Sequence, residues 1–500
     1  MDKAAKSLPQ SLLPPLAVAS SPYLGLFTKP ELQANWYDAD VKTFGPINVV
    51  EGEKISFSVP KLGGRTFMNL GDTFISLGLQ LVDSSGNVPP SLDSDKKAVT
   101  VAPCDAFTSA MFSHIKIYLN DVPITTGSGL LPFGERLKIA IRDPFEKQLS
   151  YYRVFGHSKD VGSSFWKDQV GGIGWEKRKM MFGSYPSVAR RVTLKEFVYS
   201  KDIKTFFLEL VSDLSSTDMM LPPDVAVRVE CFMNPSGFYM QSSQPAFCAG
   251  KGYRLKVCNA KLRIPTMRLV EPKWNHLQKE MSLGHKLEYH CKRHDCRTVL
   301  LKANNRRFSI DTLRVGQVAP DTMLIMLINA WCIDNYYDTS PYMSCPEVFT
   351  KAHVSDRDVG SRGAFLESMQ LTINNEVQDE SPHDWTHDQL VKHKFAQTQA
   401  ALGARELPQF SAAINLTTYR NGDFVVAYDL TKARRNALCG SAVRQVPQTG
   451  AARLDLTFSS GVEADGKIGL PCDAYLVILS EYHSRITIDG SGDVSYRFID

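Results

Sequence analysis

An all-β chain built from two consecutive sandwiches of the jelly-roll or Greek-key kind is what three observations predict. Strand-like alternation recurs over most of the 500 residues, with only one or two helix-like stretches in each half. One short pattern occurs twice: His114-Ile115-Lys116-Ile117-Tyr118-Leu119-Asn120-Asp121 returns as Ser368-Met369-Gln370-Leu371-Thr372-Ile373-Asn374-Asn375, Met369 lying 254 positions after Ile115. The elements that follow each copy then come in the same order. A parallel sheet would need a helix after nearly every strand, which this chain lacks.

Residues 1–40 are rich in Pro and Ser and end in aromatics at Trp36-Tyr37. Lys3 and Lys6 precede an apolar stretch from Leu12 to Ala19, but Pro14 and Pro15 break it, so an extended arm is expected and not a leader helix. Regular strands begin with Lys54–Pro60 and Phe74–Val82, the second closed by the turn-like Asp83-Ser84-Ser85-Gly86. In the repeated pattern, alternation puts one face in a core, and the Asx pair suits the positive φ that a tight hairpin turn requires. A helix over Leu131–Ile141 follows, then a loop-like insertion from Asp143 to about Lys201. Strands at Thr205–Val211 and Val225–Phe232 finish the first unit.

Pro235, Gly237, Pro245, Gly250 and Gly252 mark a break, so the first jelly roll is placed at 41–245 and the second at 246–500. Strands resume at Arg254–Cys258 and Ala260–Ile264, and Trp274–Leu283 reads as a short helix. Met323–Ile328 is a continuous apolar run, as in a strand buried on both faces. After the second copy of the pattern come a helix-like Asp388–Leu402 and two strands, Phe424–Thr431 and Ala452–Phe458. The first parallels Leu208–Ser215 and the second parallels 225–232. Ala474–Leu479 and Arg485–Asp489 close the chain.

Apolar content of 43% with 22% charged residues is that of a globular chain, and a net charge of +4 is small for this length. It does not suit a surface built throughout to neutralise nucleic acid. Ten irregularly spaced cysteines read as mostly reduced thiols, and no run of about 18 apolar residues predicts a membrane span.

Four stretches hold residue types that chemistry could use. The stretch His285–Cys296 holds His285, His290, Cys291, His294 and Cys296, but it alternates like a strand, and His290/His294 is its sole clean i,i+4 pair. Gly171-Gly172-Ile173-Gly174 lacks P-loop spacing and reads as a flexible loop. The carboxylate pairs Asp334/Asp338 and Glu376/Glu380 have no evident His or Lys partner. Lys177-Arg178-Lys179, Arg190-Arg191, Arg306-Arg307 and Arg434-Arg435 read as solvated loop charges. No catalytic, cofactor-binding or metal residue is therefore assigned, and no cofactor is expected.

Ile55–Pro60, Phe67–Thr73 with the strand to Val82, Phe112–Ile124 with its Leu119-Asn120-Asp121 turn, and Tyr253–Ile264 resemble hexon-like major capsid proteins of adintoviruses and related Polinton (Maverick) elements. Phe424–Thr431, Arg453–Phe458 and Ile486–Asp489 continue the resemblance, which runs from about residue 35 to the end as patterns and not as one diagnostic signature. Segments 143–174 and 285–320 carry none of it. The resemblance implies a double jelly roll, a homotrimeric capsomer with a pseudo-hexagonal outline, and an icosahedral shell enclosing double-stranded DNA. Its implied partners are neighbouring capsomers, penton and minor capsid proteins, and the packaged DNA without sequence specificity. Its implied location is the virion, assembled inside the infected cell, with the nucleus as the expected compartment. Two other classes stay open: a minor, vertex or attachment jelly roll that binds a receptor or glycan, and a two-jelly-roll glycan hydrolase marked by a loop-borne acid pair.

Overall fold

The computed structural model describes residues 36–125, 132–134, 154–158, 172–185, 197–209, 220–330, 366–377, 383–384, 425–430, 449–458 and 473–498, a few positions inside these ranges excepted and a few between 392 and 398 added. Eight principal strands of the first half are β1 Trp36–Phe44, β2 Lys54–Val59, β3 Phe74–Val82, β4 Phe112–Leu119, β5 Val122–Pro123, β6 Lys204–Glu209, β7 Val227–Met233 and β8 Arg254–Leu269. Eight of the second half are β9 Leu287–Leu301, β10 Arg307–Val318, β11 Thr322–Asn329, β12 Leu366–Ile373, β13 Glu376–Val377, β14 Val426–Asp429, β15 Thr449–Phe458 and β16 Ala474–Ile488.

Every pairing among them is antiparallel, and the sheet orders coincide. The first half has a sheet β6-β3-β8-β1 and a sheet β2-β7-β4-β5; the second has β14-β11-β16-β9 and β10-β15-β12-β13. Each strand of the second half thus takes the place of the strand eight numbers before it. Short strands embellish this plan: Thr66–Asn69 joins β8, Pro46–Val50 edges β2, and Val494–Phe498 pairs with β16.

The duplication extends to individual side chains. In β4 and β12 the same positions are buried: Phe112, Ile115, Ile117 and Leu119 in one, Leu366, Met369, Leu371 and Ile373 in the other. A two-residue loop then leads into β5 and β13. Asn120 and Asp121 have φ of 44° and 67°, and Asn374 has φ of 53°, as the alternation and the Asx residues predict. β11 is buried from Thr322 to Ile328, since it lies between β14 and β16 and its side chains face protein on both sides. One continuous apolar cluster includes residues of both halves, from Ile55 to Ile488.

Several expectations are corrected. Residues 36–40 of the expected arm belong to β1, which pairs with β8; the rest of the arm lies outside the described residues. The break at 245/246 falls before β8, yet β8 pairs with β1 and β3, so the first group of sheets runs on to Leu269. Pro and Gly mark a real interruption there, but it is a helix, Pro245–Lys251, inserted within the first group of sheets.

Arg254–Cys258 and Ala260–Ile264 are one strand with an irregularity between Val257 and Asn259. Ala474–Leu479 and Arg485–Asp489 likewise merge into β16. The polar Ser480, Glu481 and Ser484 that interrupt the apolar pattern are themselves buried between neighbouring strands. The helix expected at 274–283 spans Glu271–Ser282. Those expected at 131–141 and 388–402 lie largely outside the described residues. The loop-like 143–201 contains a helix, α1 Ile173–Met181, and a two-strand ribbon of Gly183–Ser184 with Val198–Tyr199.

Candidate functional site

Two features outside the regular sheets concentrate polar chemistry. The first fastens the insertion to the first sandwich. α1 starts after Gly172, whose extended backbone precedes the first turn, so the Gly-rich segment read as a flexible loop leads into a helix. From α1, Trp175, Arg178 and Lys179 point into protein, so two of the three charges in the Lys177-Arg178-Lys179 cluster are not solvated. Arg178 is fully buried: its Nε donates to the carbonyl of Pro103 at 2.8 Å and Nη1 donates to the carbonyl of Ser158. Nη1 also lies 3.9 Å from Asp105 Oδ1.

Asp105, itself buried, accepts the Ser158 N–H at 2.6 Å, and its Oδ2 is 3.0 Å from His157 Nδ1. An ionised carboxylate can only accept, so the proton of that contact sits on Nδ1. The Arg178 guanidinium balances the Asp105 charge where water is excluded, which makes the group costly to break and gives it one geometry.

Lys179 is enclosed differently. Its Nζ sits 4.5 Å from the centroid of Phe197, 5.3 Å from Trp175 and 5.5 Å from Tyr185, with Glu176 Oε2 at 3.5 Å. The ring faces stabilise the ammonium as its water is removed. Beside it, Tyr199 accepts the Val101 N–H at 2.8 Å and donates to the Val101 carbonyl at 2.9 Å, and burial pushes its phenol well up from the ordinary value. Phe107, Phe182 and Phe206 stack edge-on or tilted at 4.9–5.8 Å and join the insertion to β6. What this cluster does chemically is hold the described parts of the insertion, 154–158, 172–185 and 197–199, against the first sandwich.

The second feature is the repeated turn. Asn120 N–H donates to the Ala226 carbonyl at 3.0 Å while Asn120 Oδ1 accepts the Ala226 N–H at 2.8 Å. Asn374 does the same to Ala451, at 3.0 and 3.2 Å. In each half one Asn, through its backbone N–H and its side-chain oxygen, therefore ties the β4/β12 hairpin to a residue just before or near the start of β7/β15, in the manner of a two-point amide pair.

The clusters weighed in the sequence are scattered by the fold. Residues 287–301, which include His290 and His294, pair along their whole length with β16. Four residues span about 13 Å of a strand, so the i,i+4 spacing that suits a metal on a helix is lost. No group of three or more His, Cys, Asp or Glu placed to hold a metal occurs among the described residues. Arg306 donates from Nε to the Phe458 carbonyl and from Nη2 to Glu367.

Asp334, Asp338, Glu380, Arg190-Arg191 and Arg434-Arg435 lie outside the described residues. Among the described cysteines, Cys104, Cys231, Cys248, Cys258 and Cys296 form no disulfide, and burial raises the pKa of Cys231 and Cys296. Sequence reading missed Asp105 and His157, which carry no motif and meet only through the fold. The Asx pattern did flag Asn120 and Asn374.

No family model matches the chain, and no curated protein matches it in sequence. Solved structures do. A chain of the Sputnik virophage, determined by cryo-EM, is 9% identical with a TM-score of 0.57, covering 100% of this chain and 93% of its own. VP54 of PBCV-1, fitted into a Sputnik reconstruction, is 9% identical with a TM-score of 0.53, covering 93% of this chain and 97% of its own. A quasi-atomic model of the PBCV-1 capsid gives 10% and 0.50 over the same shares. The fold is a double jelly roll.

In this double jelly roll the Asx turns are common to both halves. No helix among the described residues is long and apolar enough to cross a membrane.

Proposed function

We propose that this chain is a major capsid protein of the hexon type, of the adintovirus or Polinton kind. Three copies form a pseudo-hexagonal capsomer of an icosahedral shell that encloses double-stranded DNA. The observation that carries the reading is the identity of strand order in the two jelly rolls. Two like units per chain and three chains per ring give six similar wedges, so a threefold object fills a sixfold place in a closed lattice. The likeness over nearly the full length to the PBCV-1 capsid model supports a shell role for such a unit.

The two jelly rolls are assigned to about 36–269 and 287–498, joined by the helix Glu271–Ser282. Residues 1–35 serve as an arm toward neighbouring subunits or the shell interior. Neighbouring capsomers and penton or minor capsid proteins are the partners, DNA is contacted without sequence specificity, and the virion, assembled in the infected cell's nucleus, is the location. The chain acts as a structural protein and needs no cofactor.

The test is the purified full chain. Light scattering should give about three times the 55.8 kDa chain mass, and negative-stain images should show hexagonal outlines. Pentameric rings would instead assign the chain to a vertex, and a stable monomer would sink the capsomer reading.

A further inference from the structure

In the first jelly roll, β2, β7 and β4 lie side by side, with one set of alternate residues in the core and the other facing away from it. Register sets the outward residues in rows across the three strands, and each row holds one cation. Lys54 stands beside Phe232 and His114, Lys116 beside Glu230 and Ser56, and Arg228 beside Tyr118. The second jelly roll keeps the pair of Arg228 and Glu230 as Arg453 and Asp455. At the register positions of His114, Lys116 and Phe232, however, it has Ser368, Gln370 and Thr457. The sandwich plan therefore does not require the cationic and aromatic character of the first face.

Glu230 sits at the centre of that face, buried under its neighbours. It accepts from Lys54 Nζ at 3.0 Å, Arg228 Nη1 at 3.3 Å and the Tyr118 hydroxyl at 3.4 Å. Arg228 Nη2 also lies 3.3 Å from Asp121, and its guanidinium is 4.0 Å from the Tyr118 ring centroid. Lys116 has no carboxylate partner among the described residues. Its Nζ rests 5.3 Å from the centroid of Phe232, whose ring stacks on His114 at 4.2 Å. Two donors in the same face, Ser56 Oγ and Arg228 Nε, are buried without a hydrogen-bond partner. An ammonium held only by a ring, beside donors that lack acceptors, calls for a negatively charged oxygen from outside.

We infer that this face binds an extended acidic segment of a second protein, with one carboxylate set on Lys116 beside Phe232. Side chains on one face of an extended segment recur every two residues, about 6.6–6.8 Å, and the rows of the sheet recur at the same interval. Carboxylates at alternate positions thus meet one cation each, and their methylenes lie on the rings of Phe232 and Tyr118. Lys116 is the anchor, because Lys54 and Arg228 already share Glu230. A nucleic acid suits the face less well. Its continuous line of phosphates would cross the Glu230 charge, whereas separate carboxylates step around it. The inference concerns a face of one jelly roll and does not depend on the trimeric reading.

The probe is a short fluorescein-labelled peptide of alternating glutamate and valine, added to the purified full chain and read by anisotropy. Its glutamine counterpart and a labelled single-stranded oligothymidylate are measured beside it. The glutamate peptide should bind saturably and more weakly as salt is added. Lys116→Gln, which installs the residue of the second jelly roll, should weaken it about tenfold. Phe232→Thr should weaken it about threefold, and gives the same comparison should Lys116→Gln fail to fold. Lys273→Gln, exposed on the helix Glu271–Ser282, should leave it unchanged. No binding, equal binding of the glutamine peptide, or equal binding by parent and Lys116→Gln overturns the inference. Tighter binding of the oligothymidylate, lost with Lys116→Gln, also overturns it and gives the face to nucleic acid. Light scattering of the same samples judges the capsomer reading separately.

Discussion

The turn at Asn120 and the turn at Asn374 are the same local chemistry in two settings. Both follow a strand with the same buried positions, both hold positive φ, and both clamp an alanine backbone with one amide. The first meets the end of the other jelly roll, through Gly492. The comparison teaches that hairpin and clamp are written locally, while the use of the corner is decided by what the rest of the chain brings to it. The first half also carries an insertion whose helix α1 is fastened by a buried Asp105–His157–Arg178 group.

The largest expected effect tests whether that group acts on one half alone. Arg178→Ala leaves Asp105 buried with its cation removed and should cost about 3–5 kcal/mol. Because one apolar cluster includes both halves, calorimetry should show a single shifted transition. A split transition would mean that the halves are energetically separate. The double change Arg178→Met with Asp105→Asn should recover much of the loss, since no unpaired charge remains.

Next comes the contact at the Asn120 corner. Gly492→Ala adds a Cβ against the Asp224 carbonyl at positive φ and should cost about 2–3 kcal/mol in urea unfolding. Gly86→Ala, with φ +84° and nothing within 4 Å, isolates the backbone cost at about 1 kcal/mol. Equal losses at the two positions would remove the packed contact between the halves from the account.

The two asparagines can then be compared directly as Asn→Gly, which deletes the side chain without a penalty from positive φ. Asn120→Gly should cost about 2 kcal/mol, for the clamp and the bond to Gly492 together, and Asn374→Gly at least the roughly 1 kcal/mol of its clamp. A cost at Asn120 no larger than the roughly 1 kcal/mol of the clamp would mean that the contact between halves contributes nothing there.

The smallest effect is one of pH. The Ser491 hydroxyl, first among its causes, together with the backbone N–H groups of Asp493 and Ser491, holds the Asp489 carboxyl below its ordinary value of 3.8. A depressed folded-state pKa contributes stability that is complete above the ordinary value and is lost as pH falls through the folded one. The difference in melting temperature between parent and Asp489→Asn should therefore shrink as pH drops from about 6 to about 3. A constant difference would show that the ionised form does not brace the turn that Asn120 meets.

Alternation, Asx residues and the recurrence 254 positions on were enough to read an all-β chain with a duplicated hairpin, because strand periodicity and turn preference act over a few residues. Local signals misread β8 and β16 as broken strands, since buried Ser480, Glu481 and Ser484 look like solvent positions until β9 and β11 are placed beside them. They also read Arg178 and Lys179 as solvated. Charge next to charge on a chain looks exposed, and only the fold brings Asp105, His157, Phe197 and Tyr185 around it.

By itself, then, the sequence determined strand faces, the two Asx turns and the repeated order of elements. Tertiary structure decided which sheet β8 joins, where the insertion is fastened and what the corner at Asn120 meets. Those depend on groups tens to hundreds of residues apart, such as Asn120 and Gly492, whose meeting no local pattern encodes.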